Sequence, residues 1–135
     1  VEGQPTVTAV ENLGLLQGGS ETILFVEDEE DVREALVGVL QDTGYGVHVA
    51  VDGMDGWHLF QQHHEKIDLV LMDLSMPKMT GLELLNRIRE VEPATKVIIS
   101  SGQIDPDLRW LQGETILKKP YRLSEALGAI RSQFE

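Results

Sequence analysis

The stretch Leu69-Val70-Leu71-Met72-Asp73-Leu74-Ser75-Met76-Pro77 decides the fold. An apolar run with no polar face ends in a carboxylate, and a proline interrupts the chain four residues later. A run that is apolar on both faces suits a strand buried between two layers, as in a parallel sheet covered by helices on each side. Asp73 then stands at the carboxyl end of that strand, the edge of an open α/β sheet where ligands bind. Taken alone, such an acid is either a loop cap or a working group.

Upstream, Thr22-Ile23-Leu24-Phe25-Val26 is a compact apolar, β-rich run that ends in the acids Glu27-Asp28-Glu29-Glu30-Asp31. Val32, Ala35, Leu36, Val39 and Leu40 follow at i, i+3, i+4, i+7, i+8 and form a helical face. The later acids of that run, Glu29, Glu30 and Asp31, read as solvated first-turn residues that complement the helix dipole. Gly44 stops the helix. Residues 45–51 make a second strand, and Asp52-Gly53 turns into a short helix carrying Trp57 and Phe60, with His63-His64 near its end.

The third strand is 67–72, leading to Asp73. Thr80-Gly81 is a turn and helix start, where Gly81 permits φ > 0 or a close approach. Leu82, Leu85 and Ile88 or Arg89 continue as a helix that stops before Pro93. Lys96 to Ser100 is the fourth strand, ending at Ser101-Gly102, and 106–111 has room only for a short fourth helix. Thr115 to Lys118 is the fifth strand, followed by Lys119-Pro120. Leu123, Leu127, Ile130 and Phe134 stripe a last helix, with Ser124 as its cap. Five strands alternating with five helices make a βα repeat, and right-handed crossovers turn it into one doubly wound α/β parallel sheet.

Residues 1–20 differ from the rest: glycines and a proline punctuate them and they contain no Lys or Arg. They read as a linker or tail ahead of a single domain at 21–135, and a chain that opens on Val1 fits an excised piece. A length of 135 residues suffices for one unstapled core. With no cysteine, disulfides, zinc-thiolate sites and thiol catalysis are excluded. A net charge of -12 argues against nucleic-acid binding and against docking on anionic lipid. No apolar run approaches the roughly 20 residues of a membrane span, so a cytoplasmic location is expected, alone or as the cytosolic part of a larger membrane sensor.

In a parallel sheet all the polar strand ends share one edge. The first strand brings Glu27 and Asp28, the third Asp73, the fourth Ser101 and the fifth Lys119. Three clustered acids raise one another's pKa unless a cation neutralises them. An oxygen-only ligand set suits a hard ion such as Mg2+, which takes one or two carboxylates plus phosphate and waters. Lys119 can then pair with a phosphoryl group and Ser101 donate to it, and an Asp carboxylate is a known covalent phosphoryl acceptor. The chemistry points to a Mg2+-assisted acyl-phosphate site at Asp73.

Ile-Leu-Phe-Val-Glu-Asp-Glu (23–29), Leu-Met-Asp-Leu-Ser-Met-Pro (71–77), Ile-Ser-Ser-Gly (99–102) and Lys-Lys-Pro-Tyr (118–121) together resemble the receiver domain of two-component response regulators. The resemblance implies a flavodoxin-like sheet of order 2-1-3-4-5. It implies that Asp73 accepts a phosphoryl group from a phosphohistidine on a histidine kinase or a histidine phosphotransfer protein. Asp28 would be the main Mg2+ carboxylate, with Glu27 reaching the ion directly or through water and the Ser75 backbone carbonyl completing the set. Ser101 would be the switch hydroxyl, and Lys119 would pair with the phosphoryl oxygens, its bond to Pro120 cis.

Phosphorylation would switch a partner-binding surface, and the domain would catalyse its own phosphorylation and dephosphorylation. Ser75 and Gln103 would steer the hydrolytic water. Gly-Gly-Ser-Glu-Thr-Ile-Leu (18–24) is similar to the approach to C-terminal receivers of hybrid sensor histidine kinases, so the parent chain would be such a kinase. A stand-alone single-domain regulator is the alternative.

Three departures stand out. Glu27 replaces the usual Asp of the acidic pair. Ile116 stands where the family carries an aromatic, with Tyr121 following the proline instead. The shortened fourth helix, with Pro106 in it, makes dimerisation by that route a poor expectation and favours a monomer. An Asp-nucleophile phosphatase of the haloacid-dehalogenase type is the enzymatic rival, but it needs a second Asp where Ser75 stands.

Overall fold

The computed structural model describes residues 7–8, 18–76, 78–102 and 114–135. The strands are β1 (Val7–Thr8), β2 (Thr22–Val26), β3 (Gly46–Ala50), β4 (Leu69–Asp73), β5 (Lys96–Ser101), β6 (Thr115–Lys118) and β7 (Tyr121–Arg122). The helices are α1 (Glu30–Asp42), α2 (Gly53–His63), α3 (Gly81–Val91) and α4 (Leu123–Ser132), with a 3-10 turn at His64–Lys66. β3-β2-β4-β5-β6 form one parallel sheet. Counted along the chain among these five, the order is the expected 2-1-3-4-5. The expected fourth helix at 106–111, with Pro106 and Trp110, lies outside the described residues, as do Pro77 and Gln103.

The deciding stretch behaves as a two-faced strand should. All five residues of β4 are buried, and their side chains alternate between two cores. Leu69 and Leu71 join Ile23, Phe25 and Ile98 under α1 and α4. Val70 and Met72 join Leu24, Val26, Val97 and Ile99 under α2 and α3. A period of two within an unbroken apolar run thus splits one strand between two layers.

Local chemistry sets the helix starts. Asp52 caps α2 by accepting the Asp55 N–H at 2.8 Å, and Thr80 with Glu83 closes a capping box on α3. Gly44 ends the α1 turn at φ +106°, a region that favours glycine. Three expectations are corrected. Ala35, counted on the α1 face, is exposed, while Val37 is partly buried. Leu84 is fully buried on α3 although the stripe was drawn through Leu82, which is only partly covered. α4 begins one residue before Ser124, with the Arg122 N–H donating to Glu125 at 2.6 Å. In the upstream segment, expected as a linker or tail, Val7–Thr8 form β1, which pairs in parallel with β7.

Candidate functional site

The carboxyl ends of β2, β4, β5 and β6 bring four charged or polar groups into one opening. Backbone bonds fix their heights: Glu27 N–H to the Ala50 carbonyl at 3.1 Å, Leu74 N–H to Ser100 at 2.9 Å and Lys119 N–H to Ser101 at 2.8 Å. A cavity of about 460 Å³ is lined by Asp28, Glu29, Asp73, Ser75, Ser101 and Lys119, with the backbone around them. The Lys119–Pro120 bond is cis. The loop after Asp73 passes through Lys78 at φ +69°, and Lys78 pairs with Asp52 at 3.4 Å.

Lys119 is the centre of the arrangement. Its Nζ lies 3.0 Å from Asp73 Oδ2 and 3.0 Å from Glu27 Oε1, and it donates to Glu27 Oε2 at 3.2 Å. Asp73 Oδ1 accepts the Ser75 N–H at 3.3 Å, and Glu27 Oε2 accepts the Glu29 N–H at 3.1 Å. Asp73, Ser101 and Lys119 are all buried, and Glu27 is completely so. Asp28 alone of the three clustered acids is exposed to solvent. Lys118 points outward, as strand alternation requires.

Burial sets the electrostatics. It pushes the Glu27 carboxyl up to about 7, with Lys119 opposing the rise and Asp73 adding to it. Burial likewise raises Asp73 above the usual carboxylate range, again against the pull of Lys119. Desolvation works to lower the Lys119 ammonium, but Glu27 and Asp73 outweigh it and hold the net shift upward. Two buried carboxylates, Glu27 and Asp73, therefore share one ammonium, and burial disfavours the charged form of both.

The residues fit a divalent cation. One carboxylate oxygen from each of Glu27, Asp28 and Asp73 lies within 4.8 Å of the others. Glu27 Oε1 is fully buried, lies 3.0 Å from the Lys119 ammonium and has no aligned hydrogen-bond donor among the described residues. A buried anionic oxygen left in that state calls for a cation, and all-oxygen donors select a hard one.

The candidate residues Glu27, Asp28, Asp73, Ser75, Ser101 and Lys119 come together at this edge, while Gln103 lies outside the described residues. Sequence reasoning missed Glu29. It was read as a solvated first-turn acid, and it is largely exposed, yet its carboxylate approaches Lys119 to 3.6 Å. Its place two residues after Glu27, before α1 begins, was the available signal. It missed the Tyr121 hydroxyl as well, which is buried without a hydrogen-bond partner among the described residues. No histidine lines the cavity: His48 and His63 stack on each other at 4.4 Å, and His64 faces Phe60 and Glu92.

The family model described as "Response regulator receiver domain" matches residues 23–131. Among curated proteins, the sensor kinase CckA of Brucella abortus is 35% identical over 121 residues, covering 87% of this chain and 13% of that protein. The response regulator receiver protein CpdR of the same organism is 32% identical over 112 residues, covering 80% of this chain and 92% of that one. Among solved structures, the CheX-CheY-BeF3-Mg2+ complex from Borrelia burgdorferi aligns with a TM-score of 0.78 at 27% identity, over 85% of this chain and 90% of that one. The chain thus spans nearly all of CpdR and about one eighth of CckA.

Proposed function

The chain belongs to the response regulator receiver family, and on that premise we propose that Asp73 is the residue on which its signal is written. Phosphoacceptor function in two-component signalling comes with the family. The observation that supports Asp73 as the acceptor is the ammonium of Lys119 held 3.0 Å from its carboxylate inside an acid-lined cavity. In the step, a carboxylate oxygen of Asp73 attacks the phosphorus of a phosphohistidine on a kinase or phosphotransfer protein. The P–N bond breaks, its electron pair leaves with the imidazole, and an acyl phosphate remains on Asp73.

Lys119 is placed to pair with the phosphoryl oxygens, and Ser101, on the same cavity wall, to donate its hydroxyl to them. Asp28, Asp73 and Glu27 would hold Mg2+ together with the Ser75 backbone carbonyl. When bound, Mg2+ supplies charge neutralisation of the phosphoryl oxygens. The added charge, nearly two units, draws Lys119 and Ser101 toward Asp73 and changes the surface a partner reads.

The similarity to CckA, and the Gly18-to-Leu24 approach, support residues 1–20 as a linker and 21–135 as a cytoplasmic receiver carried by a hybrid kinase. The similarity to CpdR supports the stand-alone form, and the sequence upstream of Val1 decides between them.

The acceptor assignment is tested by intact mass. With Mg2+ and acetyl phosphate, the native chain gains one phosphate and Asp73→Asn gains none. Equal labelling of the two proteins would refute it.

A further inference from the structure

Asp73 is aimed partly by the loop that follows it. The Ser75 N–H donates to Asp73 Oδ1 at 3.3 Å, while the Lys119 ammonium holds Oδ2. The loop leaves β4 through the Leu74 N–H bond to the Ser100 carbonyl and closes where the Gly81 N–H reaches the Leu74 carbonyl, each at 2.9 Å. Between these ends Met76 and Met79 are buried in the core under α2 and α3. The Met79 carbonyl lies against the start of α2, so close that a side chain at Gly53 would overlap it. One residue earlier Lys78 takes φ +69°, a conformation that glycine adopts freely and lysine only at a cost. Glycine would suit this backbone better, so what Lys78 contributes is its ammonium. That ammonium lies 3.4 Å from Oδ2 of Asp52, whose side chain is 10% exposed and whose Oδ1 caps α2 through the Asp55 N–H.

We propose that Lys78 and Asp52 are positioning residues for phosphoryl acceptance: their ion pair latches the acceptor loop to α2 and keeps the Ser75 N–H on the Asp73 carboxylate. The inference rests on the reading of Asp73 as the acceptor. Attack on phosphorus needs one Asp73 oxygen presented in a fixed direction, and two donors, Lys119 and the Ser75 N–H, set the plane of that carboxylate. Lys119 follows β6 and is tied back by its own N–H to the Ser101 carbonyl. Ser75 rides on the loop, so its aim is only as good as the loop's anchorage. Asp52 is a suitable post, because it is buried and its other oxygen is engaged on the helix it caps. The Lys78 side chain is 68% exposed, which makes the latch worth a modest factor in rate rather than an all-or-none requirement. A simpler role for Lys78, attracting an anionic donor by charge alone, predicts the opposite sign at Asp52. Removing the Asp52 charge would then speed the reaction, whereas breaking a latch slows it.

The test compares the native full chain with Lys78→Gln, Asp52→Asn, the double variant and Lys78→Arg. Glutamine keeps a side chain at the same left-handed position and asparagine keeps the α2 cap, so each single variant removes only a charge. Amide exchange at Ser75 and Gly81 should rise about two- to fivefold in each single variant, no further in the double variant, and stay at the native rate in Lys78→Arg. Exchange at Asp68, whose N–H is held by the Thr22 carbonyl, is the control and should not move. The rate of mass gain with Mg2+ and acetyl phosphate should fall by a similar factor in the same variants and recover in Lys78→Arg. Unchanged exchange at Ser75 and Gly81 in Lys78→Gln would show that the pair does not hold the loop. Faster exchange with an unchanged rate of mass gain would show that the latch does not position the acceptor. Faster mass gain by Asp52→Asn would show that Lys78 acts through its charge alone. A native chain that gains no mass would instead defeat the acceptor assignment, and the exchange arm would still decide whether the pair is a latch.

Discussion

At the residue scale the site turns on Glu27, a longer acid where relatives of this kind usually place an Asp. The extra methylene lets its carboxylate reach under the opening, where it is completely buried and bonded to Lys119. With no divalent ion bound, its carboxyl is pushed to about 7 by burial, against an ordinary value of 4.5. The sign follows from proton counting. Between those two values the folded chain keeps a proton that the unfolded chain releases, so this group favours folding at low pH and its contribution is lost as pH rises through about 7. Urea unfolding in a chelator, from pH 5 to pH 7.5, should show stability falling across that window, and Glu27→Gln should flatten the fall by about 1 kcal/mol or more. A slope identical in the two proteins would mean that the proton resides elsewhere in the cluster. Lys119→Ala removes the shared cation and leaves two buried carboxylates, an exchange expected to cost about 3 kcal/mol or more at neutral pH. The same urea series reads it, and a smaller loss at pH 5 is expected because both acids can then take a proton.

Elements decide how accurately those residues are aimed, and the β4–α3 connection is the tightest of them. Gly81 starts α3 against the end of β4: a Cβ there would lie 2.7 Å from the Asp73 carbonyl oxygen and 2.7 Å from Leu74 Cα. Both neighbours are backbone and cannot rotate away. The φ of Gly81 is not positive, so of the two reasons considered for this glycine, close approach is the operative one. Gly81→Ala would gain about 1 kcal/mol of helix propensity but must shift the strand end, at a cost of about 1–3 kcal/mol. The clash wins, and the displaced carboxylate should also slow acyl-phosphate formation. A chain equally stable in urea and phosphorylated at the native rate would refute this. The element scale also shows where sequence reading loses resolution. Strand identity came through because β4 is apolar at every position, but helix faces were drawn one residue off. Ala35 was counted inside because alanine carries no polar signal, and Leu84 was passed over because Leu82, Leu84 and Leu85 crowd one turn. A cap was assigned to Ser124 on residue type, whereas α4 opens on the Arg122–Glu125 contact, which capping preferences do not encode.

At the scale of the whole molecule, the doubly wound sheet is what turns distant residues into a site. Glu27, Asp73 and Lys119 are separated by more than forty positions at each step, and only their places at strand ends, read with the βα alternation, made the convergence legible in the sequence. Burial depth and sharing were not legible. Nothing in a linear pattern says that Glu27 lies under the opening while Asp28 lies at its rim, or that Lys119 serves both Glu27 and Asp73. The pairing of β1 with β7 escaped for a related reason, since two residues are too short to show a period. The division of labour between rim and floor has a consequence for the whole fold. A divalent ion that binds the folded chain and not the unfolded one stabilises it by RT ln(1 + [L]/Kd), about 2.7 kcal/mol at a hundredfold excess over Kd. Mg2+ should therefore raise Tm by several degrees relative to NaCl of matched ionic strength. Asp28 is exposed, so Asp28→Asn should leave Tm in chelator close to that of the native chain, because surface substitutions rarely move stability by more than about 0.5 kcal/mol. If the proposed cation site uses Asp28, the Mg2+ increment should nevertheless be lost, because its rim carboxylate is then gone. If Mg2+ stabilises Asp28→Asn as much as the native chain, the ion is held by Glu27 and Asp73 without it, and the cation site must be redrawn around the buried floor.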